Sequence, residues 1–255
     1  MGEILQASRA VAALAEALEA FGFSFEEGDD FAAFKAVYEP LGRGPVNPVF
    51  DAARQPVTGF WLALRDPGSA VAAIQAVRYL GDCGPDLYLH LVARRDDYLP
   101  LGSPADAAGA PPVDPARSEI VSAAARAIGG AGCYHGEFYV VPEQRERGLA
   151  GLLIRLAQLM AWARWAPDFF FGLTVPATSS QRFAERMGYG AFEQQAVIWR
   201  DAVGRPLREE GLVWSGPAHL RRLARAPFAG LSERLRTSLP SRAPSDGLRR
   251  GLAEQ

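Results

Sequence analysis

The chain has little cysteine, almost no lysine and no long apolar run. Cys83 and Cys133 are its only cysteines, too few for a disulfide framework and without metal-ligand spacing, which fits a reducing cytoplasm and no bound metal. Lys35 stands alone among 27 basic residues, so arginine carries nearly all the positive charge, a bias typical of a GC-rich bacterial genome. The longest apolar stretches, such as "FWLAL" at 60–64, fall far short of the ~20 residues a spanning helix needs. The opening "MGEILQASRA" has no basic region followed by a long apolar core, so no secretion signal is expected. Positive charge is not in excess: 27 basic against 29 acidic residues give a net charge of −2. Neither nucleic acid nor an anionic membrane is the expected partner. What is present is ordinary globular material, 49% hydrophobic and 22% charged over 255 residues, enough for one large domain or two small ones.

The order of elements reads as mixed α/β. "ILQASRAVAALAEALEAFGF" has helical apolar spacing and stops at Gly22. "DDFAAFKAVYEPLG" is a second helix capped by Asp29 or Asp30 and closed by Pro40. "VTGFWLALRD" and "AVAAIQAVRYL" form a hairpin around "DPGS" at 66–69, whose Pro67-Gly68 pair suits a type II turn. Residues 81–132 read as an insertion. Within it "DLYLHLVA" is open between helix and strand, while "ARSEIVSAAARAIGG" reads as a helix with a glycine stop. Then come the strand "GEFYVV", the long helix "GLAGLLIRLAQLMAWARW", the strand "DFFFGLTVP", the short helix "SSQRFAERMG" and a final strand "AFEQQAVIWR". Beyond about 216 the sequence is rich in arginine and proline. "PAHLRRLARAPFAGLSERLRT" has helical character and the rest reads as a loose tail. The arginines of 221–250 lack the interleaved aromatics of a nucleic-acid surface.

The informative stretch is 138–153, "FYVVPEQRERGLAGLL". A strand ends at Pro142, two arginines and a small-residue cluster follow, and a helix begins with apolar residues at 149, 152, 153, 156, 159, 160 and 163. The first amides of a helix have no internal acceptor and its dipole favours anions there. Gly148, Ala150 and Gly151 remove bulk where backbone meets a ligand, and Arg145 and Arg147 add charge. This is a pyrophosphate cradle. It is not a Walker A loop, since Gly-Lys-Ser/Thr is missing. Nor is it a dinucleotide fingerprint, since "GGAGCYHG" at 129–136 follows a predicted helix.

The stretch resembles the coenzyme A loop of the GCN5-related N-acetyltransferase (GNAT) family. The Gln/Arg-x-x-Gly-x-Gly/Ala signature reads here Arg145-Glu146-Arg147-Gly148-Leu149-Ala150, after a strand ending in Val-x-Pro. Downstream, Met187-Gly188-Tyr189 stands where the family has a Gly-Phe pair. The likeness covers roughly residues 10–200, with 81–132 as a poor fit. It implies a GNAT-like mixed twisted sheet flanked by helices, with an inserted segment between the third and fourth strands. That domain would span 1–215 (insertion 81–132), followed by an Arg-rich helix and flexible tail over 216–255. The implied activity is cytoplasmic acyl transfer from acetyl-CoA, or another acyl-CoA, to a primary amine of a small molecule, without a metal; a homodimer is compatible.

In that family the acyl donor lies between two splayed parallel strands, here expected at 136–141 and 169–175. The resemblance thus implies pantetheine contacts along Phe138, Val140 and Val141, with the Val140 amide on the thioester oxygen. It also implies pyrophosphate contacts by the amides of Arg145, Glu146, Arg147, Gly148, Leu149, Ala150 and Gly151. Glu137 is the expected base, since a carboxylate among apolar neighbours near a cleft has a raised pKa. His135 is the second choice. The family's tyrosine acid, four residues before the Gly-Phe pair, is Ala184 here. Either the thiolate leaves without that acid or another hydroxyl, such as that of Tyr139, Tyr189 or Ser180, serves, with Tyr139 placed beside Glu137 in the catalytic set. Glu26, Glu27, Asp29 and Asp30 read as a solvated acidic loop between the first two helices, or as an attractor for a cationic amine. Two other readings stay open: a catalytically silent CoA-binding regulatory module, and an N-acyltransferase acting on a protein or an aminoacyl-tRNA.

Overall fold

A computed structural model describes residues 2–100, 112–145, 147–175 and 181–226. Eight strands form one sheet in the order β1-β2-β3-β5-β6-β8-β7-β4. They are β1 (Ser24–Gly28), β2 (Gly59–Arg65), β3 (Val71–Asp82), β4 (Glu119–Ile120), β5 (Ala131–Val140), β6 (Phe169–Thr174), β7 (Ala191–Arg200) and β8 (Pro206–Ser215). Only β5 and β6 pair in parallel, and all other pairs are antiparallel. The mixed α/β class and the parallel central pair are those the sequence predicts.

Helices cover both faces. On one lie α1 (Glu3–Glu19), α4 (Leu149–Trp165) and α6 (Pro217–Arg225), packed on one another because each turns a stripe of small and branched apolar residues inward. Ala7, Leu14, Leu153, Leu156, Ala157 and Leu220 sit in this single core. α6 therefore shares the core of the helices before it. The opposite face carries α2 (Phe31–Tyr38) and α3 (Leu87–Ala93), over an aromatic core in which Phe34 meets Tyr38, Phe50 and Trp61. Asp30 caps α2 through the Ala32 amide at 2.8 Å. The short α5 (Gln181–Met187) packs on the end of α4 near β7.

Five expectations change. The acidic stretch after α1 is strand β1, not a loop between helices, and pairs antiparallel with β2. Its carboxylates are taken by arginines, Glu26 by Arg65 and Glu27 by Arg164, so they do not attract an acceptor. The hairpin turn is not type II: Gly68 does not have positive φ, whereas Ser69 does, at 66°. The 66→69 turn bond is followed by a left-handed residue that shifts the register at Arg65. The helix expected over 116–130 is replaced by β4 and one 3-10 turn, Ala124–Ala127. "AFEQQAVIWR" is not the last strand, since β8 follows it and inserts between β6 and β7. Finally β5 starts at Ala131, so "GGAGCYHG" runs into a strand and His135 lies within it.

The insertion travels from β3 to the far end of the sheet, where β4 pairs with β7 through Glu119–Ile198 and Ile120–Val197. On the way it lays Tyr98 against the sheet and anchors there: Asn47 Nδ2 donates to the Leu99 carbonyl at 2.9 Å.

Candidate functional site

β5 and β6 pair only over Gly132–Tyr134 and Phe169–Phe171. Beyond that the strands part, and a cavity of about 640 Å³ opens between them. One mouth is lined by Ala150, Ile154, Phe183 and Met187, the other by Tyr38, Arg43, Tyr98 and Arg208. The cavity thus passes through the sheet and joins its two faces.

A bulge shapes its edge. Ile74 of β3 faces Tyr139 and Ala76 faces Gly136, so Glu137 and Phe138 together oppose Gln75. Glu137 accommodates the extra residue with φ at 51°, in the left-handed region, a strained position for a non-glycine residue. After the bulge the ladder resumes. The Val141 amide donates to the Ala72 carbonyl at 3.0 Å, and because amides alternate along an antiparallel strand, the Val140 amide points the other way, into the gap beside β6. The Val141 amide is therefore not available to a ligand, against its expected role, whereas the Val140 amide is left facing the gap.

The loop after β5 is a 3-10 turn, Pro142–Gln144, then the start of α4. Gly148 sits at the helix N-cap with φ at 75° and provides no side-chain cap. Among the described residues the amides of Leu149, Ala150 and Gly151 then have no partner, as a cradle for phosphate oxygens requires. Arg145 differs from expectation. Its amide bonds the Pro142 carbonyl at 3.2 Å, and its Nε donates to the Val140 carbonyl at 3.1 Å, leaving only its terminal nitrogens for a ligand. Arg147 donates to the buried Gln144 side chain. Leu149 is buried in the core and offers only its amide. Glu146 and Ser180 lie outside the described residues.

Gly151 is small for a packing reason. A Cβ there would come within 2.7 Å of the Arg186 carbonyl and of Arg155 Nη1. Alanine's gain of about 1 kcal/mol in helix propensity offsets only part of an overpacking cost of about 1–3 kcal/mol. Gly151→Ala is thus expected to lower the urea midpoint; an unchanged or higher midpoint shows that α5 yields freely.

Glu137 faces the second mouth. Burial raises its carboxyl pKa above the ordinary value, while hydrogen bonds from the Tyr38 hydroxyl and the Asn47 amide, with the charge of Arg43, pull it back. Tyr139 shares this side. The guanidiniums of Arg43 and Arg145 lie over its ring, 4.6 and 5.7 Å from the centroid. No local signal in the sequence marks Tyr38, Arg43 or Asn47. The α2 end and the following loop bring them to β5.

His135 has no free nitrogen. Gln75 Nε2 donates to the Leu153 carbonyl at 2.9 Å, so its Oε1 accepts from His135 Nε2 at 3.0 Å. His135 Nδ1, 2.6 Å from the Tyr189 oxygen, must then accept that hydroxyl's proton. Burial pushes the imidazole down to about 3. His135 is therefore not the base, and the Tyr189 proton is already committed. Ala184, where the resemblance places a tyrosine, is fully buried, while its neighbour Phe183 lines the cavity.

Among the described residues no group of three or more His, Cys, Asp or Glu could hold a metal ion, and no helix is long and apolar enough to cross a membrane. No family model and no curated protein matches the chain. Among solved structures it is similar to Arabidopsis thaliana NAA60 in complex with acetyl-CoA, at 12% identity and a TM-score of 0.42 over 76% of this chain and 98% of that one. It is also similar to a chimera of spermidine N-acetyltransferase SpeG from Vibrio cholerae and hSSAT, at 11% identity and a TM-score of 0.43 over 78% and 98%. Overlaps of that size carry no weight for the activity.

Proposed function

We propose that the chain is an N-acyltransferase that moves an acyl group, most simply acetyl, from coenzyme A to the primary amine of a small molecule. One observation carries this reading. An uncapped helix N-terminus and an unpaired strand amide open onto one end of a cavity whose other end holds a desolvated carboxylate. Such a cavity admits an anionic acyl donor from the α4 face and an amine from the opposite face, so that the two meet between the strands.

The residues then divide the work. The α4 amides hold the donor's diphosphate, and the parted edge of β5 at Phe138 and Val140 pairs with its extended arm. Glu137 takes the proton from the amine nitrogen as that nitrogen bonds to the thioester carbon. The Val140 amide meets the negative charge that grows on the carbonyl oxygen. The carbon–sulfur bond breaks with its electron pair on sulfur, which departs as thiolate. Tyr189 is not free to protonate it, because its proton is held by His135. Tyr139 lines the acceptor side, beside Glu137.

Tyr98 and Pro100 of the insertion wall the second mouth, which favours a small acceptor over a protein or aminoacyl-tRNA. Ala184 favours the alternative of a silent CoA-binding module. Both readings require CoA binding. At CoA concentrations 100-fold above the dissociation constant the folded state gains about 2.7 kcal/mol, so the melting temperature is expected to rise with CoA and not with adenosine. An unmoved melting temperature at millimolar CoA removes both. CoA binding without acyl transfer to any member of an amine library, followed by mass spectrometry, favours the silent module.

A further inference from the structure

The acceptor side of the cavity has more hydrogen-bond donors than it can use. Arg43 lies beside the Tyr38 hydroxyl and covers Tyr139, 4.6 Å from its ring centroid. Among the described residues no carboxylate lies within ion-pair distance of it. Its Nε is buried without a partner. Arg208, on β8, spends a terminal nitrogen on Glu210 at 2.7 Å, and its Nε is likewise buried and unpartnered. The two carboxylates here are engaged at once. Glu210 accepts from Trp199 Nε1 at 2.9 Å and pairs with Arg208, and Glu137 accepts from the Asn47 amide with the Tyr38 hydroxyl beside it.

A guanidinium has five N–H donors and no acceptor, and here the Nε–H of each arginine is buried and unmet, which is costly. A purely cationic acceptor would worsen this, since both guanidiniums would repel it. An acceptor with an anionic, planar, bidentate group would instead be attracted by both guanidiniums through their terminal nitrogens.

We propose that the acceptor is an amine that also carries a carboxylate, an amino-acid-like molecule whose carboxylate is held by Arg43 and Arg208 while its amine faces Glu137. The proposal rests on the acyltransferase reading. Its remaining contacts would be to Tyr98 and Tyr134, whose rings meet edge to face at 4.9 Å in the same wall.

The test uses pairs that differ only in the carboxylate, such as phenylalanine with phenethylamine and lysine with cadaverine. Each is measured by calorimetric binding to the full chain saturated with CoA, and by acetyl transfer. A charge-assisted contact predicts at least about tenfold tighter binding and lower KM for the carboxylate member. Arg43→Lys and Arg208→Lys keep the charge but lose the fork. Each is expected to bring the pair toward parity by weakening the carboxylate member alone, with CoA affinity unchanged. Parity or preference for the bare amine in the natural chain, binding of neither member in any pair, or an equal loss for both members in the variants overturns the proposal. Those results leave the acyltransferase reading standing if CoA still binds, whereas failure of CoA to bind removes both.

Discussion

Replacing Glu137 by glutamine is expected to lower kcat/KM for acyl transfer by about 10²–10⁴-fold at neutral pH, the range typical of a positioned base. Glutamine keeps an oxygen for the Asn47 amide, so the fold and CoA affinity should persist. The pH dependence separates the roles. Burial raises the pKa of Glu137, and a base works only when ionised. Activity of the natural chain should therefore fall as pH drops through that raised value, above the range where an exposed carboxylate titrates. In Glu137→Gln this acid limb should vanish. Should the variant instead keep the same pH–rate profile at similar speed, Glu137 only ties down the Tyr38 hydroxyl and the Asn47 amide, and the base lies elsewhere.

Val140→Pro is expected to lower kcat by about 10²–10³-fold, the usual effect of removing one donor to a developing oxyanion. Proline deletes one N–H and fixes φ near −65°. At most strand positions that breaks a ladder bond, but the Val140 amide faces the gap where β5 has parted from β6, the setting in which strands tolerate proline. The Val141 amide does bond β3, so Val141→Pro serves as the control and should destabilise the sheet without that selective loss of kcat. CoA binding with full kcat in Val140→Pro would show that the thioester oxygen is held by another group.

What could be read in advance follows from where the signal is local. α4 was legible because apolar residues recur at 149, 152, 153, 156, 159, 160 and 163, and all of that inward stripe except the partly buried Ala163 is buried. The hairpin was legible from two apolar runs around Asp66-Pro67-Gly68-Ser69, although Ser69 rather than Gly68 takes the left-handed position. β1 was hidden because Glu26 and Glu27 make it look like solvent-facing loop, and only Arg65 and Arg164 on other elements reveal their purpose. β4 was hidden by alanine-rich helical spacing. There the free edge of β7 won, since Val121 and Ser122 both donate to the Ala196 carbonyl, and Glu193 accepts from the Ala123 and Ala124 amides. β8 begins "PLREEG", polar because Arg208 and Glu210 line the cavity rather than the core. The bulge at Glu137 had no marker at all, because a positive φ there would ordinarily call for glycine. The long-range partners of the site, Tyr38, Arg43, Asn47 and Glu210, lie between 73 (210 − 137) and 99 (137 − 38) residues from Glu137 along the chain.

The ends of the sheet bear on how the chain behaves when crowded. An open strand edge is a template on which other chains can stack and aggregate. Here one terminus of the sheet is a two-residue strand and the other a five-residue strand whose adjacent acidic side chains are tethered by arginines from β2 and α4. Neither offers the long, flat, uncharged border that runaway β-stacking requires, so the fold carries its own protection against fibre-like growth.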